Sequence, residues 1–342
     1  MFKKSFFSIL LIITLFSELL FFTSCSCSVR QSEPLPLEVG GFVGGTTGLA
    51  INVMDGAPPS VIQDAGLTPF SVIVALENAG ETDVGLGTDN PLVFARLAGI
   101  MYPNFGLTEQ TAVKTLDARL ASAKRNFDDT IMPGEINYIG FDNLFYKPNV
   151  FESFALTLRA EVCYDYETRA TTKFCMKKDV LEAWEDISIC TLRGPKPVGN
   201  SGAPVHITNV EEAPINNKTV QINFVIEHVG NGVFFYRHQP QDLYDACVFD
   251  DLNPNIYKLE VFVEPIQKDT YNITCLRLDN HLPGGGAYGT VRMFRGAPLI
   301  ISCFVSRTTP MSVRLYEDML DIRLRYRYGE FIEIPILIQG HP

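Results

Sequence analysis

The sequence predicts a mostly β protein built as two tandem antiparallel β-sandwich domains with short helical insertions. Three observations predict this class. Apolar and polar residues alternate along several segments of strand length, a similar order of segments occurs twice, and helical periodicity is confined to two stretches. Alternation of period two gives each strand one face for a core and one for water, the pattern of antiparallel sheets packed on one side.

The chain of 342 residues opens on an export signal over residues 1–27. Lys3 and Lys4 precede an apolar run from Phe6 to Phe22, followed by Thr23-Ser24-Cys25-Ser26-Cys27. A positive start, an apolar middle and a small-residue exit are the marks of such a segment. The cysteine after Phe22-Thr23-Ser24 resembles the lipobox of prokaryotic lipoproteins. That resemblance implies that Cys25 carries the lipid and becomes the mature N-terminus. The apolar run also approaches the ~20 residues that cross a bilayer, so an uncleaved anchor and simple secretion are the alternatives. All three place the remainder outside the cytoplasm.

Residues 28–46, with Pro34, Pro36, Gly40, Gly41, Gly44 and Gly45, suit a flexible stem. Residues 47–192 then form a first domain and residues 205–342 a second. Between them lies a linker, residues 193–204, marked by Gly194, Pro195, Pro197, Gly199, Gly202 and Pro204. Similar segments recur on either side of it. Ile51-Asn-Val-Met-Asp-Gly-Ala57-Pro58 parallels Ile207-Thr-Asn-Val-Glu-Glu-Ala213-Pro214. Phe70 to Gly80 parallels Val220 to Gly230, Leu156-Thr-Leu158-Arg159 parallels Leu320-Asp-Ile322-Arg323, and Tyr164 parallels Tyr328. A duplication is predicted.

The repeated segments read as strands. Val220, Ile222, Phe224 and Ile226 alternate with Gln221 and Asn223, and Tyr257, Leu259, Val261 and Val263 alternate with Lys258 and Glu260. Leu320, Ile322, Leu324, Tyr326 and Tyr328 alternate with Asp321, Arg323, Arg325 and Arg327. Pro335 implies an edge position, because proline has no N–H for a ladder. The two stretches with helical spacing are Thr108 to Arg125 (Val113, Leu116 and Leu120) and Asp179 to Ile187 (Leu181 and the lone Trp184).

Strands ending in Glu77-Asn-Ala-Gly80 and Glu227-His-Val-Gly230, the Pro133-Gly134-Glu135 turn and a late strand together resemble the immunoglobulin-like domains of prokaryotic surface proteins. The type they are most similar to is the cell-adhesion-related CARDB domain. That resemblance implies spacers, binding modules or assembly units rather than catalysts.

Net charge is −11, and the basic residues are scattered. A nucleic-acid partner is therefore not expected, and the Arg323, Arg325, Arg327 series is one strand face rather than a track for phosphates. The six cysteines beyond the stem are Cys163, Cys175, Cys190, Cys247, Cys275 and Cys303. A hairpin centred near Arg169 would set Cys163 opposite Cys175, within disulfide range. Cys275 with Cys303 is the second expected bridge. No Cys-x-x-Cys pair suggests a zinc or redox motif.

Candidate chemistry is sparse. Gly199-Asn-Ser201-Gly-Ala-Pro204 resembles the nucleophile loop of trypsin-like proteases. All five histidines (His206, His228, His238, His281 and His341) follow Ser201, whereas that fold supplies its base upstream. Asp242, Asp245, Asp250 and Asp251 around Cys247 lack the regular calcium-loop spacing. Asp128-Asp129 indicates no shared pocket, and Gly284-Gly-Gly286 between His281 and Tyr288 reads as a connecting loop. No catalytic, metal or cofactor residue is assigned. Asn217-Lys-Thr219 and Asn272-Ile-Thr274 are candidate glycosylation sites.

The expected function is that of a non-catalytic cell-envelope surface protein, membrane-anchored at its N-terminus. Its role is structural or adhesive, with a surface protein or glycan as partner. A carbohydrate- or solute-binding lipoprotein is the first alternative, and would need a groove lined by aromatics such as Tyr102, Phe105, Phe234, Phe235 and Tyr236. A secreted hydrolase with an unrecognised site is the second.

Overall fold

The computed structural model of the chain describes residues 41–340 except 184, 185, 239–242 and 251. The described residues fall within one compact unit. It is mostly β, with several antiparallel sheets packed as a sandwich.

The first half supplies β1 (Leu49–Val53), β2 (Val61–Gln63), β3 (Phe70–Asn78), β4 (Val84–Gly85), β5 (Val93–Ala98) and β6 (Val113–Thr115). It continues with β7 (Arg119–Leu120), β8 (Lys124–Arg125), β9 (Ile131–Met132), β10 (Ile136–Leu144) and the long β11 (Phe154–Lys177). Then come β12 (Gly194–Lys196), β13 (Val198–Asn200), β14 (Val205–Asn216), β15 (Thr219–His228), β16 (Val233–Phe235) and β17 (Lys258–Pro265). The chain ends with β18 (Tyr271–Cys275), β19 (Asn280–His281), β20 (Ala287–Arg292), β21 (Leu299–Arg307) and the long β22 (Leu315–Gln339).

Strict alternation decides the strands that were legible in advance. In β3, Phe70, Val72, Val74 and Leu76 are buried while the residues between them are partly exposed. β15 does the same with Val220, Ile222, Phe224 and Ile226. Two smaller sheets, β1-β3-β10 and β12-β14-β15-β21-β18, accompany a ten-stranded sheet whose path is β19-β20-β17-β22-β11-β5-β6. A single apolar cluster draws residues from all three.

The expected helices are absent among the described residues, where only three short 3-10 turns occur. Between Thr108 and Arg125 the chain turns and forms β6, β7 and β8 instead. Thr108 and Thr111 bond each other's backbone through their hydroxyls, a local arrangement that competes with the helical ladder. Val113 is then recruited by pairing with Arg96 of β5. From Asp179 to Ile187, Asp179 and Asp186 accept N–H bonds from Leu181 and Ser188, again a turn chemistry. Trp184 lies outside the described residues.

The two halves cross each other. Arg159–Tyr164 of β11 pairs with β5 on one edge and with Tyr328–Glu333 of β22 on the other. Reciprocally, Leu320–Arg325 of β22 pairs with β17 on one edge and with Glu167–Thr172 of β11 on the other. Each long strand thus belongs to its own half first and then completes the sheet of the other. The predicted duplication is visible in the register. Leu97 pairs with Ala160, and the positions one constant offset further along, Val261 and Leu324, pair in the same way. Under that same offset Tyr164 corresponds to Tyr328, and these two residues face each other across β11 and β22, as an internal two-fold axis requires.

This arrangement differs from two domains joined by a free linker. Within 193–204, β12 pairs with β14 and β13 pairs with β11. The end of the expected stem is also held: Val43 and Gly44 donate backbone N–H bonds to the Glu81 carboxylate. Pro335 pairs on one side only, beyond the short parallel contact of β2 with Leu337–Gln339, so its missing N–H disturbs no second ladder.

Candidate functional site on the central sheet

Even-numbered residues of β11 and β22 face the core at the centre of the large sheet. There Tyr164, Tyr166, Tyr326 and Tyr328 form a buried aromatic cluster, with rings 5.7 to 6.3 Å apart. A buried phenol needs a hydrogen-bond partner, and each of these has one, Tyr326 in the Thr168 hydroxyl of β11. Tyr164 accepts from the Leu49 N–H, Tyr166 donates to the Gly202 carbonyl, and Tyr328 accepts from the Gly232 N–H. A Cβ on Gly80 would collide with both the Tyr166 hydroxyl and the Gly202 carbonyl, so glycine is required there. This is the physical content of the strand ending at Gly80.

The odd-numbered residues form the opposite face, which is charged. Asp165 stands opposite Arg327 and Glu167 opposite Arg325. Both pairs bond, at 2.9 and 2.6 Å. Arg323 is matched by Glu264 and Asp321, and Arg96 by Glu161. Burial raises the Glu167 carboxyl, but Arg325 and Arg169 outweigh it and hold the group below its ordinary value. The arginine series is therefore a ladder of cross-strand ion pairs.

Two clefts open beside this ladder. The first, about 440 Å³, is lined by polar and charged groups, among them Glu81, Asp83, Asp89, Arg119, Glu167 and Arg169. Burial pushes Asp83 up, yet the Ser122 N–H and the Arg119 guanidinium prevail and bring it to about 2. The second cleft, about 390 Å³, is lined by Pro91, Leu92, Asp165, Arg237, His238, Leu243 and Arg327. Arg237 joins the two, bonding Asp165 at 3.3 Å and the Asn90 side chain at 3.0 Å. The sequence reading missed both clefts. The first is built within the first half, from residues 81–169, whereas the second takes residues from both halves and is gathered where β11 and β22 pair.

The cysteines depart from one expected pairing. Cys163 is bridged to Cys247 and Cys175 to Cys190, whereas Cys275 is bridged to Cys303. There is no hairpin at Arg169. Residues 154–177 run as one strand, which sets Cys163 and Cys175 roughly 40 Å apart at the usual rise per residue. Three disulfides are the mark of a protein that folds in an oxidising, extracytoplasmic compartment. Cys25 lies outside the described residues.

The remaining candidates are dispersed. The Ser201 hydroxyl is buried and accepts the Arg169 N–H at 3.0 Å, which makes it a strut between β13 and β11. Phe105, Phe234 and Phe235 are core residues; Tyr102 bonds the Leu97 carbonyl, and Tyr236 lies under the Lys258 ammonium. These aromatics do not line one groove. Asp242 and Asp251 are outside the described residues, and Asp250 accepts the Leu252 N–H. His228 ends β15 and bonds the Tyr328 hydroxyl at 3.0 Å; burial lowers its pKa. His281 is exposed on β19, and Tyr288 stacks on Phe262 at 5.7 Å. Asn217, in the turn between β14 and β15, and Asn272, on β18, are both exposed.

No protein-family model matches the chain, and no curated protein matches it. Among solved structures, a serine-rich repeat adhesion glycoprotein from Streptococcus agalactiae aligns over 89% of this chain and 99% of its own, at 9% identity and a TM-score of 0.16. Overlap that slight bears on neither fold nor function.

Proposed function

We propose that the chain is a non-catalytic surface protein of the cell envelope, anchored through Cys25 and presenting an interlocked β body for structural or adhesive contacts. The observation that carries this reading is the crossing of β11 and β22, locked by the Cys163–Cys247 bridge between the halves. Such a body resists opening, because separating the halves breaks a ladder of 24 residue pairs and a covalent bond. The charged face is consistent with a structural role: its carboxylates are committed to fixed guanidinium partners rather than left to transfer protons. The resemblance to CARDB-type domains points the same way.

The anchor is tested by intact mass and membrane fractionation of the native protein beside Cys25→Ala. The expected result is loss of a diacyl-sized mass and release of the variant from the membrane, since one short chain alone holds a protein only marginally. Unchanged mass and fractionation would show that the apolar run itself is the anchor.

A further inference from the structure

The second cleft holds two arginines against one carboxylate. Asp165 bonds Arg327 through one oxygen, at 2.9 Å, and Arg237 through the other, at 3.3 Å. Arg237 spends its remaining nitrogens on the Asn90 side chain and the Asp89 carbonyl. Arg327 is 2% exposed. Its Nε bonds Asp165 and its Nη2 the His238 carbonyl, while Nη1 has no acceptor among the described residues. A buried guanidinium nitrogen without an acceptor is costly. That donor stands beside an open cleft whose lining includes both Arg237 and Arg327.

From these contacts we infer that the cleft between Arg237 and Arg327 binds the carboxylate of a small ligand. This inference rests on the surface-binding reading and specifies a ligand chemistry for it. A carboxylate oxygen is a charge-assisted acceptor for the one guanidinium nitrogen left over, and its charge is drawn to both arginines. It supplies the acceptor that Nη1 lacks among the described residues. Pro91, Leu92 and Leu243 give the cleft an apolar wall for the carbon frame of the ligand. A volume of about 390 Å³ admits a single sugar acid or a short organic acid rather than an extended chain. The sheet geometry builds the site: Asp165 and Arg327 face each other in register on β11 and β22, so the site exists only where the two halves cross.

The test is calorimetric titration of the intact lipid-free ectodomain with glucuronate, N-acetylneuraminate and succinate, each beside its methyl ester, at constant ionic strength. The inference expects saturable binding of at least one acid and at least tenfold weaker binding of its ester. Arg237→Gln, at the partly exposed member of the pair, should weaken the acid at least tenfold while the thermal midpoint without ligand stays near that of the native protein. A sugar acid that saturates where succinate does not would identify a glycan source; the reverse would identify a simple organic acid. Equal response to acid and ester, or no response to any acid, would overturn the inference. Release of Cys25→Ala from the membrane would still stand in that case, so the failure would fall on this site alone. Should Arg237→Gln fail to fold, the comparison of acid with ester in the native protein decides by itself.

Discussion

The Glu212 carboxylate is buried, 2.7 Å from the Lys196 ammonium and 3.0 Å from the backbone N–H of Cys175. Burial pushes its pKa up to about 7, and the nearby lysine only partly opposes this. Because the folded value lies above the unfolded one, the proton on Glu212 contributes stability below the ordinary carboxylate range. That contribution is lost as the pH rises through about 7. Urea unfolding at pH 5 and pH 8 should therefore show a larger loss for the native protein than for Glu212→Gln, by up to about 3 kcal/mol. Equal losses in the two proteins would contradict the assignment. Neither this pair nor the two arginines on Asp165 was visible in the sequence. Lys196 and Glu212 lie on β12 and β14, and their meeting depends on a pairing that Pro/Gly density had disguised as a linker. The Arg323, Arg325, Arg327 series, in contrast, was legible as a strand face, since alternate spacing alone fixes its side of the sheet.

At the scale of elements, alternation carried the reading where one face of a strand is buried and the other is not. β3, β15 and β17 have that character. β11 does not: its centre is buried on both faces, with Asp165 and Glu167 covered as well as Tyr164 and Tyr166. A hairpin there would pair the two cysteines, but residues 164–172 contain no glycine, proline or asparagine to make its turn. The missing turn residues were the available signal. The Pro133-Gly134-Glu135 segment connects β9 to β10, and its glycine has a definite cause. A Cβ at Gly134 would lie 1.9 Å from the Asn78 carbonyl oxygen, where the turn before β10 crosses the end of β3. Gly134→Ala should accordingly cost roughly 1–3 kcal/mol, the usual penalty of overpacking, measured as a lower urea midpoint with unchanged slope. A midpoint equal to the native one would mean that this crossing is loose.

For the whole molecule, duplication was legible because the repeated segments keep their order, but its consequence was not. Two copies of a sandwich can stand in tandem or can exchange strands, and the local pattern is the same in both. What distinguishes them is length. β11 and β22, at 24 and 25 residues, are far longer than the five or six usual for a strand and overrun the half that each begins in. Once crossed, the halves share one core, one charged ladder, the second cleft and the Cys163–Cys247 bridge, so stability and binding in that cleft belong to the pair. The measurement that tests this most directly is urea unfolding of residues 41–192 and residues 193–342, produced separately and together under oxidising conditions. The account predicts that neither piece alone gives a cooperative transition, and that the two together recover one transition and the bridge between Cys163 and Cys247. Cooperative unfolding of either piece by itself would contradict the interlocked fold and restore two independent domains.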